Sequence, residues 1–333
     1  MFKEDEPLIS VLMCAYNTRP FIESAVNSIL FQTYSNWELI ISDDYSTDGT
    51  REWLSSLKDK RIKVFLQEKN LGYVANKNFC IEKANGDYIT QLDSDDTSAY
   101  DRLAKQIEVL IANSQQRIVG STYYQIDANG KIYEGTYIKD DIVITFYNNK
   151  YPFWFPSLMC HRSVYKEIGL YEEFFLGLGD DIYWTVKANE KFPIYCLKDK
   201  LYSYRNTPNS ITNVLNNERK MIMPVILHEL FQQRKENGTD WLQEGQTERL
   251  KTFEKKILNN KRFMSEQYRI WAAKAVDHRD FAQAKMLLIK ASIAWPLNVK
   301  SLRTVFYYLR IRIKAFSSPY ITNINSIENT SSH

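Results

Sequence analysis

Asp87-Tyr88-Ile89-Thr90-Gln91-Leu92-Asp93-Ser94-Asp95-Asp96 runs a short apolar segment straight into three carboxylates. Asp87 to Leu92 has the length and bounds of a buried strand. Side chains two apart in an extended segment share a face, so Asp93 and Asp95 can converge. Two carboxylates held together repel unless a proton or cation lies between them. Hard divalent cations take oxygen ligands, often few from protein and the rest from phosphate and water. Mn2+ or Mg2+ on Asp95 and Asp93 is therefore one reading. The bland alternative, a solvated acidic turn before the helix near Asp101, is equally open on this segment alone.

Three more strands precede this one. Leu8 to Met13 is a compact apolar run that reads as a buried strand, Trp37 to Ile41 is a second strand and Arg61 to Leu66 a third. Between them, Ile22, Ala25, Val26, Ile29 and Leu30 recur at helical spacing. Thr50 to Leu57 and Tyr73 to Ala84 also read as helices. Strands alternating with helices predict a parallel sheet covered on both faces. In such sheets ligands bind beyond the carboxyl ends of the strands. Two further polar clusters fall there. Ile41-Ser42-Asp43-Asp44 closes strand two, where a carboxylate can accept from a base N–H. Its bland reading is a turn and helix cap, a role expected of Thr47 or Asp48. Cys14-Ala15-Tyr16-Asn17 closes strand one, where Tyr16 can stack on a base or simply be buried.

Composition excludes little. The 333 residues carry 43 Lys and Arg against 40 Asp and Glu, so net charge singles out no partner and gives no support to nucleic-acid binding. No run of about 18 apolar residues occurs, and Met1 to Pro7 lacks the pattern of a signal peptide. The cysteines, Cys14, Cys80, Cys160 and Cys196, form no metal-type pair and read as free thiols of a reducing cytoplasm. A dinucleotide oxidoreductase or a nucleotidyltransferase would show a glycine-rich turn after strand one, but no glycine precedes Gly49.

Past Asp101 the pattern loosens. Leu103, Ile107, Leu110 and Ile111 mark a helix, followed by a Tyr-, Phe- and Pro-rich stretch to Thr212. From Asn216 the chain reads as helical and charged, with Gln232 to Asn260 expected to be a solvated helix or linker. Phe281, Ala284, Leu288, Ala291 and Trp295 mark an amphipathic helix stopped by Pro296. Leu302, Val305, Phe306 and Leu309 mark a last one, with Lys300, Arg303, Arg310, Arg312 and Lys314 beside them. The first expectation is a helix packed on its neighbour with basic residues in water. The second is a basic helix lying on an anionic membrane. Ser317 to His333 is polar and expected to be disordered.

In order and spacing these segments resemble glycosyltransferase family 2. The resemblance rests on Ser10 to Asn17, Ser28-Ile29-Leu30-Phe31-Gln32-Thr33-Tyr34, Asp43 to Thr50, Asn70-Leu71-Gly72-Tyr73, Asn76-Lys77-Asn78, Ala84 to Ile89 and Leu92 to Asp96. It covers residues 8 to 110 closely and continues more loosely to about 212. It implies a GT-A fold, an α/β architecture with a mostly parallel Rossmann-like sheet flanked by helices, over residues 1–215. Residues 1–100 would be the nucleotide-binding half and 101–215 the acceptor half. A helical extension would cover 216–316.

The resemblance also implies roles. Tyr16 and Asp44 contact the base, with Asn17 beside them. Asp93 faces ribose or metal, and Asp95 ligates the metal through the donor diphosphate. Lys77 stands where the family usually has an arginine near the phosphates. A lysine supplies a point charge but no bidentate fork. Gly177-Leu178-Gly179-Asp180-Asp181 sits at the place of the family's acidic pair, making Asp181 the base and Asp180 its neighbour toward the acceptor. Tyr202-Ser203-Tyr204-Arg205 resembles the segment that closes over the diphosphate. Asn206 and Thr207 follow where members often carry a histidine, so no histidine ligand is expected, and His161 reads as structural.

The implied activity is inverting transfer from a nucleotide sugar to a glycan or lipid-linked acceptor, in bacterial surface polysaccharide synthesis. UDP-sugars come first as donors, dTDP- and GDP-sugars next. The expected location is the cytoplasm, with peripheral contact on the inner face of the membrane as a second possibility. The rival is a non-catalytic nucleotide-sugar or carbohydrate-binding module, against which the acids at 44, 93, 95 and 181 all speak.

Overall fold

The computed structural model describes residues 6–145, 151–207, 217–296 and 299–316. The boundary expected at 215/216 and the tail 317–333 lie outside them. The chain forms two compact units, Met1–Ser210 and Ile211–His333.

The first unit is built on one mixed sheet. Its opening strands are β1 (Ile9–Ala15), β2 (Trp37–Asp43), β3 (Ile62–Leu66) and β4 (Tyr88–Gln91), separated by α1 (Arg19–Leu30), α2 (Thr50–Ser55) and α3 (Tyr73–Lys83). They pair in parallel in the order β3-β2-β1-β4. Alternate residues of β1 and β2 enter opposite cores. Val11, Met13, Leu39 and Ile41 pack with α1, whereas Leu12 and Ile40 pack with Val74 and Cys80 of α3. Burial on both faces explains why these strands read as continuous apolar runs rather than alternating ones.

The loosely patterned stretch completes the sheet. After the two-residue β5 (Thr97–Ser98) come α4 (Arg102–Ala112), β6 (Ile118–Ile126), β7 (Ile132–Gly135), β8 (Ile142–Ile144), β9 (Met159–His161), α5 (Ser163–Ile168), α6 (Asp180–Lys191) and β10 (Ile194–Arg205). The sheet continues from β4 through β9 and β6 to β10 and β5, with β9 and β5 antiparallel to their neighbours. The result is the mixed, mostly parallel, helix-flanked sheet of the GT-A class.

The second unit is helical: α7 (Glu218–Asn237), α8 (Thr247–Leu258), α9 (Lys261–Asp277), α10 (Phe281–Ala294) and α11 (Val299–Phe316). Asn217, Asn260 and Asp280 cap α7, α9 and α10 through their side chains. Two expectations need correction. The segment from Gln232 to Asn260 is not simply solvated. Leu242 and Leu250 are buried, and Arg234 forms a buried 2.8 Å ion pair with Asp240. On α11 the apolar series does not seat the helix. Among its described side chains Ser301, Thr304 and Tyr308 are the buried ones, while Leu302, Phe306 and Leu309 are 60%, 71% and 44% exposed. Small side chains let α11 lie close to its neighbours, and Tyr308 meets Phe281 edge-on. Among the described residues no helix is long and apolar enough to cross a membrane.

Candidate active site

Leu12 of β1 pairs with Ile40 of β2 on one side and Gln91 of β4 on the other. The carboxyl ends of three strands therefore open side by side, and each carries one of the polar clusters read from the sequence.

After β4, exposure alternates: Asp93 and Asp95 are partly open, while Ser94 and Asp96 are buried. Asp96 shapes the loop. One of its carboxylate oxygens accepts from the Arg205 N–H at 2.6 Å and the other from the Tyr202 hydroxyl at 2.7 Å. The Tyr202 oxygen accepts in turn from the Asp93 N–H at 3.2 Å. The Arg205 guanidinium donates to the carbonyls of Asp95, Asp127 and Ala128. In this structure Arg205 thus ties the acidic loop to the turn after β6. Burial, then the charge of Asp95, pushes Asp93 up to about 6. Burial raises Asp95, and burial with the charges of Asp95 and Asp93 holds Asp96 well above the carboxylate range.

The acidic pair opens α6. Leu176, Gly177 and Gly179 all adopt positive φ, and a Cβ at Gly177 would come within 3.3 Å of the Tyr73 ring. That close approach lays the turn against α3. Asp180 is turned inward rather than toward open space, its Oδ2 accepting from Lys77 Nζ at 2.9 Å with both side chains almost fully buried. The Lys77 ammonium also lies over the rings of Tyr73 and Tyr171, at 4.4 and 4.2 Å. Burial opposes the Lys77 charge, but the Asp180 carboxylate, Tyr73 and Asp181 together outweigh it and hold the pKa well above the ordinary value. Asp181 is partly exposed. Burial, then the charge of Asp180, pushes it up to about 7. Tyr73 links the two acidic groups, since its hydroxyl donates to Asp93 at 3.3 Å while its ring faces Lys77.

At the ends of β1 and β2, Asn17 sits at φ 51°. Its N–H donates to Ser46 Oγ, and its Oδ1 accepts from the Thr47 N–H. Asp44 is buried and accepts from the N–H groups of Leu71 and Gly72. Each carboxylate oxygen retains a second acceptor site. Asp48 accepts from the Thr50 N–H at the start of α2. Tyr16 and Tyr45 stand about half exposed beside these groups.

The structure thus joins Asp93, Lys77 and Asp180 through contacts and knits Asn17 and Asp44 into the neighbouring loops. Sequence reading missed Tyr73, Tyr171 and Tyr202. Tyr73 and Tyr202 stood inside quoted segments, but nothing in their spacing distinguishes a bridging phenol from a core one. Tyr171 carries no signal at all. His161 accepts from Ser163 and packs edge-on against Tyr88.

Comparison with known proteins bears on the family and the fold. The family model described as "Glycosyl transferase family 2" matches residues 10–169. A Bacillus subtilis (strain 168) protein provisionally named glycosyltransferase EpsE is 32% identical over 206 residues, covering 60% of this chain and 73% of its own. TuaG of the same organism, provisionally assigned to teichuronic acid biosynthesis, is 44% identical over 111 residues, covering 33% of this chain and 44% of its own. WfgD of Escherichia coli, named as a UDP-Glc:alpha-D-GlcNAc-diphosphoundecaprenol beta-1,3-glucosyltransferase, is 36% identical over 128 residues, covering 38% and 50%. The chain therefore spans half or less of the length of TuaG and WfgD. Among solved structures, S. aureus TarS 1-349 in complex with UDP superposes with a TM-score of 0.55 at 18% identity, covering 89% of this chain and 91% of that one. That likeness concerns the fold. The ordered motifs at the strand ends, the family match and the extent of the EpsE alignment together establish that this chain belongs to glycosyltransferase family 2.

Proposed function

We propose that the protein transfers a sugar from a nucleotide sugar to a glycan or lipid-linked acceptor with inversion, in the synthesis of a bacterial surface polysaccharide. The observation that carries this reading is the continuous polar path from Asp93 through Tyr73 and Lys77 to the Asp180–Asp181 pair. It brings a carboxylate suited to a diphosphate-bound cation and a carboxylate suited to proton removal into one cluster.

Asp181 is the proposed base. An acid raised to about 7 is matched to taking a hydroxyl proton near neutral pH. Lys77 holds Asp180 in place beside it, and so positions the base rather than meeting the phosphates. Tyr16 and Asp44 are proposed to receive the nucleotide base, with Asn17 fixing the loop between them. Asp95 and Asp93 are proposed to hold Mn2+ or Mg2+. The donor set fits, being oxygen-only, partly open and short of counter-charge. Among the described residues no cluster of three ligating side chains occurs, so diphosphate and water would complete the shell. When bound, such a cation neutralises charge developing on the departing diphosphate.

UDP is the first choice of nucleotide. Supporting it, WfgD is named for UDP-Glc and a TarS structure contains UDP-GlcNAc. WfgD's named acceptor, a diphosphoundecaprenol, supports a lipid-linked acceptor here. The test is release of nucleoside diphosphate from a panel of nucleotide sugars with Mn2+ or Mg2+ and acceptor. Transfer should fall by about a thousandfold in Asp95→Ala. Near wild-type transfer by that variant would remove the metal assignment, and nucleotide binding without acceptor-dependent release would favour a binding module.

A further inference from the structure

The 36 residues from Phe281 to Phe316, which form α10 and α11, contain no aspartate or glutamate. They hold seven lysines and arginines, five of them on α11. On α11, Leu302, Phe306, Leu309 and Ile313 follow one another at intervals of four, three and four residues, which puts them on one face. All four are exposed, Phe306 and Ile313 by 71% and 66%. At 1.5 Å per residue the row is about 16 Å long. Ile289 and Ile293 of α10 and Trp295 just beyond it are exposed as well. The buried side of α11, Ser301, Thr304 and Tyr308, is the opposite of what an ordinary soluble helix turns inward.

We infer that α11 docks on an anionic lipid surface, its apolar row entering the headgroup–acyl boundary while Arg303 and Arg310 meet the lipid charge. The charge pattern selects this occupant. Arg303 and Arg310 line one edge of the row on α11 with no carboxylate anywhere on α10 or α11 to answer them. An antiparallel second copy set against the same face would oppose like charges across a two-fold axis. Anionic headgroups answer the arginines, and the acyl region takes the row. The inference stands on the second unit alone and does not depend on the sugar-transfer reading, though a surface-bound enzyme would meet a lipid-linked acceptor directly.

The test is flotation of the full chain with vesicles of phosphatidylcholine alone and of phosphatidylcholine with phosphatidylglycerol. The protein should float with the anionic vesicles, less so as salt is raised, and stay behind with the neutral ones. Arg303→Gln with Arg310→Gln should weaken vesicle binding about 25-fold, at roughly a factor of five per charge. Leu302→Ser with Phe306→Ser should lower it by at least about tenfold. These positions are exposed, so unchanged melting and UDP binding would show that each variant folds and that its nucleotide site is intact. Failure of the full chain to float overturns the inference, as does equal recovery on both vesicle types or by both variants. So does a dimer, seen by light scattering, that the Leu302/Phe306 variant splits.

Discussion

At the carboxyl ends of β1, β2 and β4 the protein buries charge; along α11 it exposes hydrocarbon. Lys77 and Asp180 are 3% and 1% exposed, whereas Phe306 and Ile313 are 71% and 66% exposed. Each departs from the partition that an ordinary soluble fold prefers. Burying an ion pair costs desolvation that attraction between the partners only partly returns. Leaving a row of large apolar side chains in water forfeits the burial that would have stabilised the unit. Where a fold accepts such costs, the reason is sought in what the region binds. The first region has the chemistry of a small anionic ligand and a moving proton, the second that of a broad lipid surface. The comparison also predicts how they differ under mutation. Changes in the first should disturb both activity and folding, and changes in the second neither.

The largest expected effect is on catalysis. Asp181→Asn should lower single-turnover transfer by roughly a thousandfold while leaving UDP affinity nearly unchanged by calorimetry. A matching loss of UDP binding would instead mark Asp181 as a donor contact. Next comes the buried pair. Lys77→Met strands Asp180 and should destabilise the fold by about 3–5 kcal/mol in denaturant titration, with much of that recovered by adding Asp180→Asn. Full stability of Lys77→Met alone would break the comparison, because the charge would then not be buried in solution.

The third effect is on pH dependence, where activity and stability should move in opposite directions. The Asp181 carboxyl stands at about 7 against an ordinary 3.8, so between those values the folded chain keeps a proton that the unfolded chain has released. The associated stability is complete below about pH 4 and is lost as pH rises through 7. Transfer needs the deprotonated form and should rise over the upper part of that range. Asp181→Asn should flatten the fall in melting temperature, gaining about 2 kcal/mol at pH 8 relative to wild type. Gly177→Ala should cost about 1–2 kcal/mol, because alanine resists positive φ and its methyl group would press on Tyr73. The smallest effect belongs to α11, where Phe306→Ser should shift stability by no more than about 0.5 kcal/mol.

What could be read in the sequence follows the same division. Of the first four strands, β1 was legible as a compact apolar run and the others as short strand-like segments bounded by turn residues. Acids at the ends of β2 and β4 also stood out without a structure. The strands β6, β9 and β10 were not legible. β9 is three residues long, and the Tyr-rich β10 bends through register irregularities where it pairs with β6. At the site, sequence supplied the acids but not their connections. The Lys77–Asp180 pair spans 103 residues, and nothing local in either segment announces it. Asp180 reads locally as an ordinary acidic first turn of a helix. On α11 periodicity found the helix, but its apolar series took in the partly buried Val305 and left out the exposed Ile313, and periodicity says only that residues share a face, not whether protein or solvent lies against it.

Asp93 and Asp95, after β4, are proposed to hold the donor's diphosphate-bound cation beside the base Asp181 at the start of α6. Crystals soaked with UDP and Mn2+ test it most directly. An anomalous manganese peak is expected within coordination distance of Asp95 or Asp93, with the uridine against Tyr16 and Asp44 and the diphosphate at the ion. A manganese peak elsewhere, or a nucleotide bound away from these strand ends, would contradict it.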